Sequence, residues 1–195
     1  MSIALRRPRA LALLASAAAL GGTAIAAPAA SAAPVTGVST AVAADPGLVA
    51  GLTSLGATVR LTGAATADSS GRFVYPVTGG SLTADLKGKV NHTGGLEIKA
   101  KSGIRFGIQQ FVIDTTKTPV LTAVPTVAGY PLGIRVPVAD ITDVAVSSAP
   151  PATVVSGTLK LTDIGALYIN TFLGKPVVKK GTVFGQAQAT VTLGS

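Results

Sequence analysis

Apolar and polar residues alternate along much of the chain after residue 44, and this pattern predicts β-strands, because successive side chains of a strand point to opposite faces. The clearest run covers residues 82–92, where leucine and valine share one face and lysines share the other. A second run, residues 96–101, follows the tripeptide Thr-Gly-Gly at 93–95. Two alternating strands around a Gly-Gly turn predict a β-hairpin.

The same alternation continues toward the end of the sequence. It predicts further strands near 104–114, 119–127, 132–138, 152–161 and 182–193. The phase slips at Gln109-Gln110, which indicates a β-bulge. Residues 147–151, SSAPP, are expected to form a loop because consecutive prolines cannot donate to a ladder. Many short strands with few charges and frequent glycine favour a mainly β, antiparallel sandwich or barrel-like domain.

Two segments show helical spacing instead. In residues 45–56, Asp45 can cap a helix that Pro46 begins and Gly56 ends. In residues 162–174, Thr162 or Asp163 supplies the cap and a glycine again ends the helix. An ungapped alignment of 45–63 with 163–181 contains seven identities, and both stretches give cap, short helix, glycine and strand. We therefore expect two short helices and a possible internal duplication.

The first 33 residues differ in composition from the rest. Arg6, Arg7 and Arg9 precede an apolar, alanine-rich stretch, and small residues then provide a cleavage site after Ala32 or Ala33. This order is typical of a signal peptide, for general secretion or for twin-arginine export. We interpret 34–44 as a lead-in segment, extended at an edge, and 45–195 as a single β-rich domain. The expected product is secreted or extracellular, with association with the cell wall as a further expectation and no transmembrane segment in the mature protein.

The inventory of reactive residues argues against an enzyme. Cysteine is absent, which excludes disulfides and thiolate chemistry. The sequence contains no G-x-S-x-G, phosphate-loop, dinucleotide or H-E-x-x-H motif. The carboxylates are scattered, there is no tryptophan to stack a sugar, and the two aspartates of residues 139–143 lack further oxygen ligands for calcium. We therefore expect no catalytic residues and no metal site.

Basic residues are the most prominent polar feature of the predicted hairpin region. The chain carries 16 basic and 8 acidic residues. A hairpin would place several basic residues on one solvent-facing side of the sheet. They form a candidate surface basic patch of Lys87, Lys89, Lys99, Lys101 and Arg105. Such a patch would attract an anionic cell-wall polymer or cell surface. The alternative is a solvent-exposed face whose lysines prevent aggregation of the sheet with other chains. With only 4% aromatic residues the chain offers no stacking platform, so nucleic acid is not expected as a partner.

His92 is the only histidine of the chain. It is in phase with Leu86 and Val90, so we expect it on the apolar face. One interpretation is a buried residue bonded to a backbone carbonyl, and the other is a ligand for a cofactor. A single imidazole with scattered aspartates does not make a tetrahedral metal site, whereas one protein ligand suffices to hold haem iron.

Residues 88–115 resemble the central strands of the HtaA-type haem-binding domains of actinobacterial cell-surface and secreted proteins. The match consists of Val90, His92, Gly94 and Leu96, and it extends to Phe111, Ile113 and Asp114. The resemblance implies a β-rich fold, haem as the cofactor, and His92 as the histidine that supports a haem-ligating tyrosine. That tyrosine belongs to an aromatic-rich N-terminal segment of the family, whereas residues 34–70 here contain no aromatic residue. No axial ligand therefore carries over, and the three tyrosines stand in other contexts, namely Tyr75, Tyr130 and Tyr168.

These observations predict a secreted or cell-wall-associated, non-catalytic binding or structural protein that needs no cofactor. The alternative is a module of the HtaA type that binds haem or a hydrophobic small ligand, with His92 lining the pocket.

Overall fold

The computed structural model describes residues 31–149 and 152–193, so the predicted signal peptide lies almost wholly outside the described residues. The strands are β1 (Ala33–Ala44), β2 (Thr58–Thr62), β3 (Thr66–Ala67), β4 (Phe73–Leu82), β5 (Gly88–His92), β6 (Gly95–Lys99), β7 (Arg105–Asp114), β8 (Val120–Val127), β9 (Tyr130–Pro131), β10 (Val136–Ala149), β11 (Ala152–Leu161) and β12 (Val183–Leu193). The helices are α1 (Pro46–Ser54) and α2 (Asp163–Leu173).

Eight antiparallel strands close into a barrel. Their order is β7-β5-β4-β1-β12-β11-β10-β8, and β8 pairs back with β7 to complete the ring. The other strands extend this ring: β6 also pairs with β7, β2 pairs with β6, β9 with β8, and β3 with β4. Closure gives the eight inner faces one common interior. The prediction of a mainly β, barrel-like domain with two short helices is confirmed.

The segment expected as an edge lead-in is an interior strand of the barrel. β1 pairs with β4 on one side and with β12 on the other, with Thr40 opposite both Tyr75 and Ala189. The segment is extended as expected, but its edge position was wrong. Its second neighbour, β12, comes from the far end of the chain, and the local pattern of residues 34–44 carries no information about such a distant partner.

The predicted hairpin at residues 93–95 does not form. β5 and β6 do not pair with each other, because both pair with the same side of β7, with Lys89 opposite Asp114 and Lys99 opposite Arg105. The chain therefore bends at 93–94 and continues in the same direction. At Gly94 (φ +86°) an added Cβ would lie 2.5 Å from the amide nitrogen of Ala65. Gly94 thus permits a bend and a close backbone approach, not a reversal of the chain.

The reversal lies earlier, at residues 83–87, inside the run that the alternation predicts as one strand. The amide of Thr83 donates to the carbonyl of Lys87 at 2.8 Å, and the amide of Lys87 donates back to the Thr83 hydroxyl at 2.9 Å. Leu86 occupies the left-handed region at φ +62°. The alternation happens to keep its phase across this turn, which explains why it suggests a single strand.

The predicted bulge on β7 is confirmed. The register against β8 shifts between Gln109 and Val112, and Gln110 has φ +52°. The amide of Gln110 donates to the Gly94 carbonyl at 3.1 Å. The bulge therefore lies beside the bend between β5 and β6, and both irregularities occur at the same level of the barrel.

Both helices form where the sequence predicts them. Asp45 caps α1 by accepting from the amide of Leu48 at 2.9 Å, and Thr162 caps α2 by accepting from Gly165 at 3.0 Å. Gly174 ends α2 in the left-handed conformation. The similarity between the segments 45–63 and 163–181 ends with the helices. β2 follows α1, whereas residues 176–180 after α2 form no strand.

Two further expectations need correction at β10. Residues 147–149, expected in a loop, belong to this strand, and the two prolines at 150–151 lie outside the described residues. The strand expected at 132–138 begins only at Val136. Within 31–149 and 152–193, neither helix is long and apolar enough to cross a membrane.

Candidate functional site

His92 lies inside the barrel and is only 5% exposed. Its Nδ1 is 3.3 Å from the carbonyl oxygen of Phe111, and its Nε2 is 2.7 Å from the hydroxyl of Thr40. Because a carbonyl can only accept, Nδ1 carries the proton and Nε2 accepts from the Thr40 hydroxyl. Burial lowers the pKa of His92 to about 4, so the ring is neutral at pH 7.

A small cavity of about 20 Å³ adjoins this imidazole. Its wall includes Thr40, Tyr75, His92 and Phe111, and the rings of Tyr75 and Phe111 meet edge to face at 4.7 Å. Burial raises the pKa of the Tyr75 hydroxyl, which therefore stays protonated at pH 7. The space is that of about one water molecule, and the residues around it form a polar layer of the core.

A larger cavity, which we call the end cavity, opens at one end of the barrel. Its volume is about 280 Å³, just below the range of ~300–1,000 Å³ in which proteins usually hold small organic ligands. Aliphatic side chains form most of its wall, among them Leu82, Leu86, Val90, Ile113, Ile141, Val144, Val146, Val155 and Val191. It is separated from the His92 layer by Ile113 and Ala187, which border both spaces.

The sequence leaves this space open through small residues on β12. Ala187 and Ala189 line the cavity, and Ala187 lies opposite Gly157 on β11. Larger side chains at the two alanine positions would fill the interior, as Leu159 and Leu161 do on β11. At Gly157 an added Cβ would lie 2.8 Å from Cγ2 of Ile141, so this glycine makes room for the Ile141 side chain.

The rim of the end cavity carries the few polar groups that contact it. They come from the 83–87 turn, from the loop after β7 and from β11, and they are Asp85, Lys87, Thr115 and Ser156. Thr115 fastens the turn to the barrel, since its hydroxyl donates to the Leu86 carbonyl and accepts from the amide of Gly88 at 3.1 Å. Leu86, which the turn holds in its left-handed conformation, closes part of the opening.

The structure divides the predicted basic patch into two distant groups. Lys87 and Lys89 lie at the end-cavity side of β5, while Lys99, Lys101 and Arg105 lie at the opposite end of β7. The ten residues from Arg105 to Asp114 span about 30 Å of strand. Lys89 also forms an ion pair with Asp114 at 3.3 Å. The five residues therefore do not form one continuous cationic surface.

Glu97 on β6 is charged yet only 3% exposed. Its Oε1 accepts from the Nε of Arg60 on β2 at 2.8 Å. Because β2 pairs with β6 and places Arg60 directly opposite Glu97, the glutamate is paired with the arginine on the same face of the sheet. The alternation within β6 does not reveal the added strand.

Donors for a metal or for haem iron are not gathered around the end cavity. Haem iron is held by imidazole, thiolate, thioether or phenolate, and the residues that line the end cavity include none of these. Both nitrogens of His92 are already bonded, and the Tyr168 hydroxyl lies 2.6 Å from the Thr126 carbonyl, to which it donates. Tyr130 is 77% exposed, on β9. Throughout the described part of the chain, no group of three or more imidazole or carboxylate side chains is assembled.

Comparison with known proteins places this barrel in a known structural class. No protein-family model and no curated protein matches the sequence. Among solved structures, the chain is similar to the C-terminal domain of HtaA from Corynebacterium glutamicum, with a TM-score of 0.63 and 16% identity over 84% of this chain and 98% of that one. It is also similar to the haem-binding protein HtaB from the same organism, with a TM-score of 0.60 and 14% identity over 83% and 96% of the two chains. The chain has the fold of the HtaA-type domain.

Proposed function

We propose that this protein is a non-catalytic binding module that holds a small, mainly apolar ligand in the end cavity. The observation that carries the proposal is the cavity itself, an apolar space of about 280 Å³ whose wall includes the small side chains of Ala187 and Ala189. Eight-stranded barrels are wide enough to hold one small ligand. The lining polar groups include no nucleophile with a neighbouring imidazole, which supports binding without catalysis.

Haem is the second candidate ligand, favoured by the fold shared with a haem-binding protein. The residues around the end cavity do not suit the iron, because none of them supplies an axial donor. Titration of the protein with hemin tests this candidate directly. A Soret shift that His92→Ala weakens would support haem, and the absence of any shift would remove it.

We also propose that the protein acts outside the cell. The support is the leader-like composition of residues 1–33. An anionic wall polymer remains a proposed partner, but each group of basic residues would have to bind it separately, since the two groups lie about 30 Å apart. Pull-down on wall material at low and high salt tests this, because electrostatic binding weakens as salt rises.

The main proposal is tested with a neutral fluorescent probe, N-phenyl-1-naphthylamine, whose emission rises in apolar surroundings. We expect saturable binding of one probe per protein. Ala189→Leu fills the end cavity and should abolish this binding, whereas Ala43→Leu, on the exposed outer side of β1, should leave it unchanged. Ala187→Val serves as a second filling variant, and melting curves verify that each variant folds. Equal binding by folded filling variants and the control would contradict the proposal.

A further inference from the structure

The rim of the end cavity suggests the chemical class of the ligand. We propose that the end cavity takes an amphipathic molecule with an anionic head, whose apolar body lies inside the barrel and whose head binds the ammonium group of Lys87. This inference rests on the proposed function and adds the polarity and orientation of the ligand.

Lys87 is the only cationic residue that lines the end cavity. It lies in the 83–87 turn directly after Leu86, with its side chain exposed at the opening. Within the described ranges Lys87 forms no ion pair, whereas Lys89, two residues further on, is paired with Asp114. The Lys87 ammonium is therefore available to a ligand group at the mouth of the cavity.

Asp85 is the one acidic residue at the rim, and the turn itself engages its carboxylate. The Thr83 hydroxyl donates to Asp85 Oδ1, and the same hydroxyl accepts from the amide of Lys87. These bonds hold the carboxylate against the turn. A second lysine, Lys117, stands exposed on the loop between Thr115 and Pro119, both of which line the cavity.

The apolar wall determines the orientation of such a ligand. A charged head inside the aliphatic part of the cavity would lose its hydration without a partner, which is strongly unfavourable. At the rim the head keeps its contact with water and gains the ammonium of Lys87. The body then contacts the aliphatic wall, where burial of its methylenes favours binding.

The test compares octanoate with octanol, which share the body and differ in the charge of the head. Each is used to displace N-phenyl-1-naphthylamine from the full chain at pH 7.5 and low salt. We expect octanoate to compete about fivefold better than octanol, the magnitude of one exposed ion pair. Added salt should reduce this preference.

Lys87→Met should remove the preference for octanoate over octanol. Lys89→Met is the matched control, because it removes the same charge from the same strand region at a residue that does not line the cavity. Asp85→Asn should increase the preference for octanoate.

Equal competition by octanoate and octanol in the wild type, or equal effects of the two lysine variants, would overturn the inference while leaving apolar binding intact. Failure of both compounds to displace the probe would instead overturn the proposed function, and the inference with it.

Discussion

The two ends of the barrel differ in how their interiors are filled. At one end α2 covers the opening, and the rings of Phe106, Tyr168 and Phe172 pack against one another with centroids 4.9–5.8 Å apart. At the other end no helix of the described chain lines the opening, and the small side chains of Ala187 and Ala189 border the end cavity. We infer that the helix-covered end stabilises the fold, whereas the open end is free to bind. The predictions below test this division of roles.

The largest effect is expected at the helix-covered end. Phe106 is 1% exposed and contacts both aromatic residues of α2. Phe106→Ala should lower the free energy of unfolding by about 3–5 kcal/mol, because it removes a large buried side chain and leaves a cavity. Urea denaturation measures the loss. Leu167→Ala, at a 65% exposed position of the same helix, is the control and should change stability by less than about 0.5 kcal/mol.

The next largest effect on stability is expected at His92, which lies between the two ends of the barrel. His92 has a pKa of about 4 in the folded protein against 6.5 when unfolded, because burial disfavours its charged form. The unfolded chain therefore binds the extra proton first as pH falls, and stability declines from about pH 6.5 to about pH 4, by about 3 kcal/mol in all. Above pH 6.5 this contribution is fully present. Melting temperatures across this range should fall more steeply for the wild type than for His92→Gln, and parallel curves would show that His92 does not titrate in this way.

A smaller effect is expected when the partner of this histidine is removed. Thr40→Val keeps the shape of the side chain but leaves Nε2 of His92 without its donor. An unsatisfied buried acceptor costs about 1–3 kcal/mol, which chemical denaturation resolves. Thr36→Val on the same strand is the control, because the Thr36 hydroxyl is exposed and its hydrogen bond to the Thr192 carbonyl is long, at 3.4 Å. A loss no greater than that of the control would mean that the interior layer does not depend on this bond.

The smallest effect on stability is expected at the open end. Val144 and Val146 are 48% and 52% exposed, although both line the end cavity. Val146→Ala should change the free energy of unfolding by less than about 0.5 kcal/mol. The same variant should weaken binding of the neutral probe severalfold, because apolar contact with the ligand is lost. A variant that is destabilised but binds normally would reverse the roles that we assign to the two ends.

Much of the fold is encoded in local sequence patterns. Asp45, Thr162 and Gly174 mark helix ends through their own hydrogen bonds and backbone preferences, so the two helices were predicted close to their observed bounds. The bulge at Gln109-Gln110 was predictable for the same reason, since it changes the phase of neighbouring residues. These features depend on interactions within a few residues.

Features set by distant partners could not be predicted in this way. Gly94 is needed because Ala65 approaches it, and Glu97 is paired because β2 places Arg60 opposite it. The alternation shows which face His92 occupies, but its bond to Thr40 depends on pairing across the barrel. The end cavity escaped prediction altogether, since its wall combines Ala187 and Ala189 of β12 with residues of strands that are distant in sequence.

The pairing of β1 with β12 has a consequence for how the chain folds. These two neighbouring strands of the ring are separated by almost the whole described sequence, with Val35 opposite Leu193. Until β12 is in place, one side of β1 exposes unpaired backbone groups that can pair with another chain. Contacts of such high sequence separation make folding slow, on the scale of milliseconds to seconds. We therefore expect the β1–β12 pairing to form late in folding, which would leave the free side of β1 as an edge open to pairing with another chain.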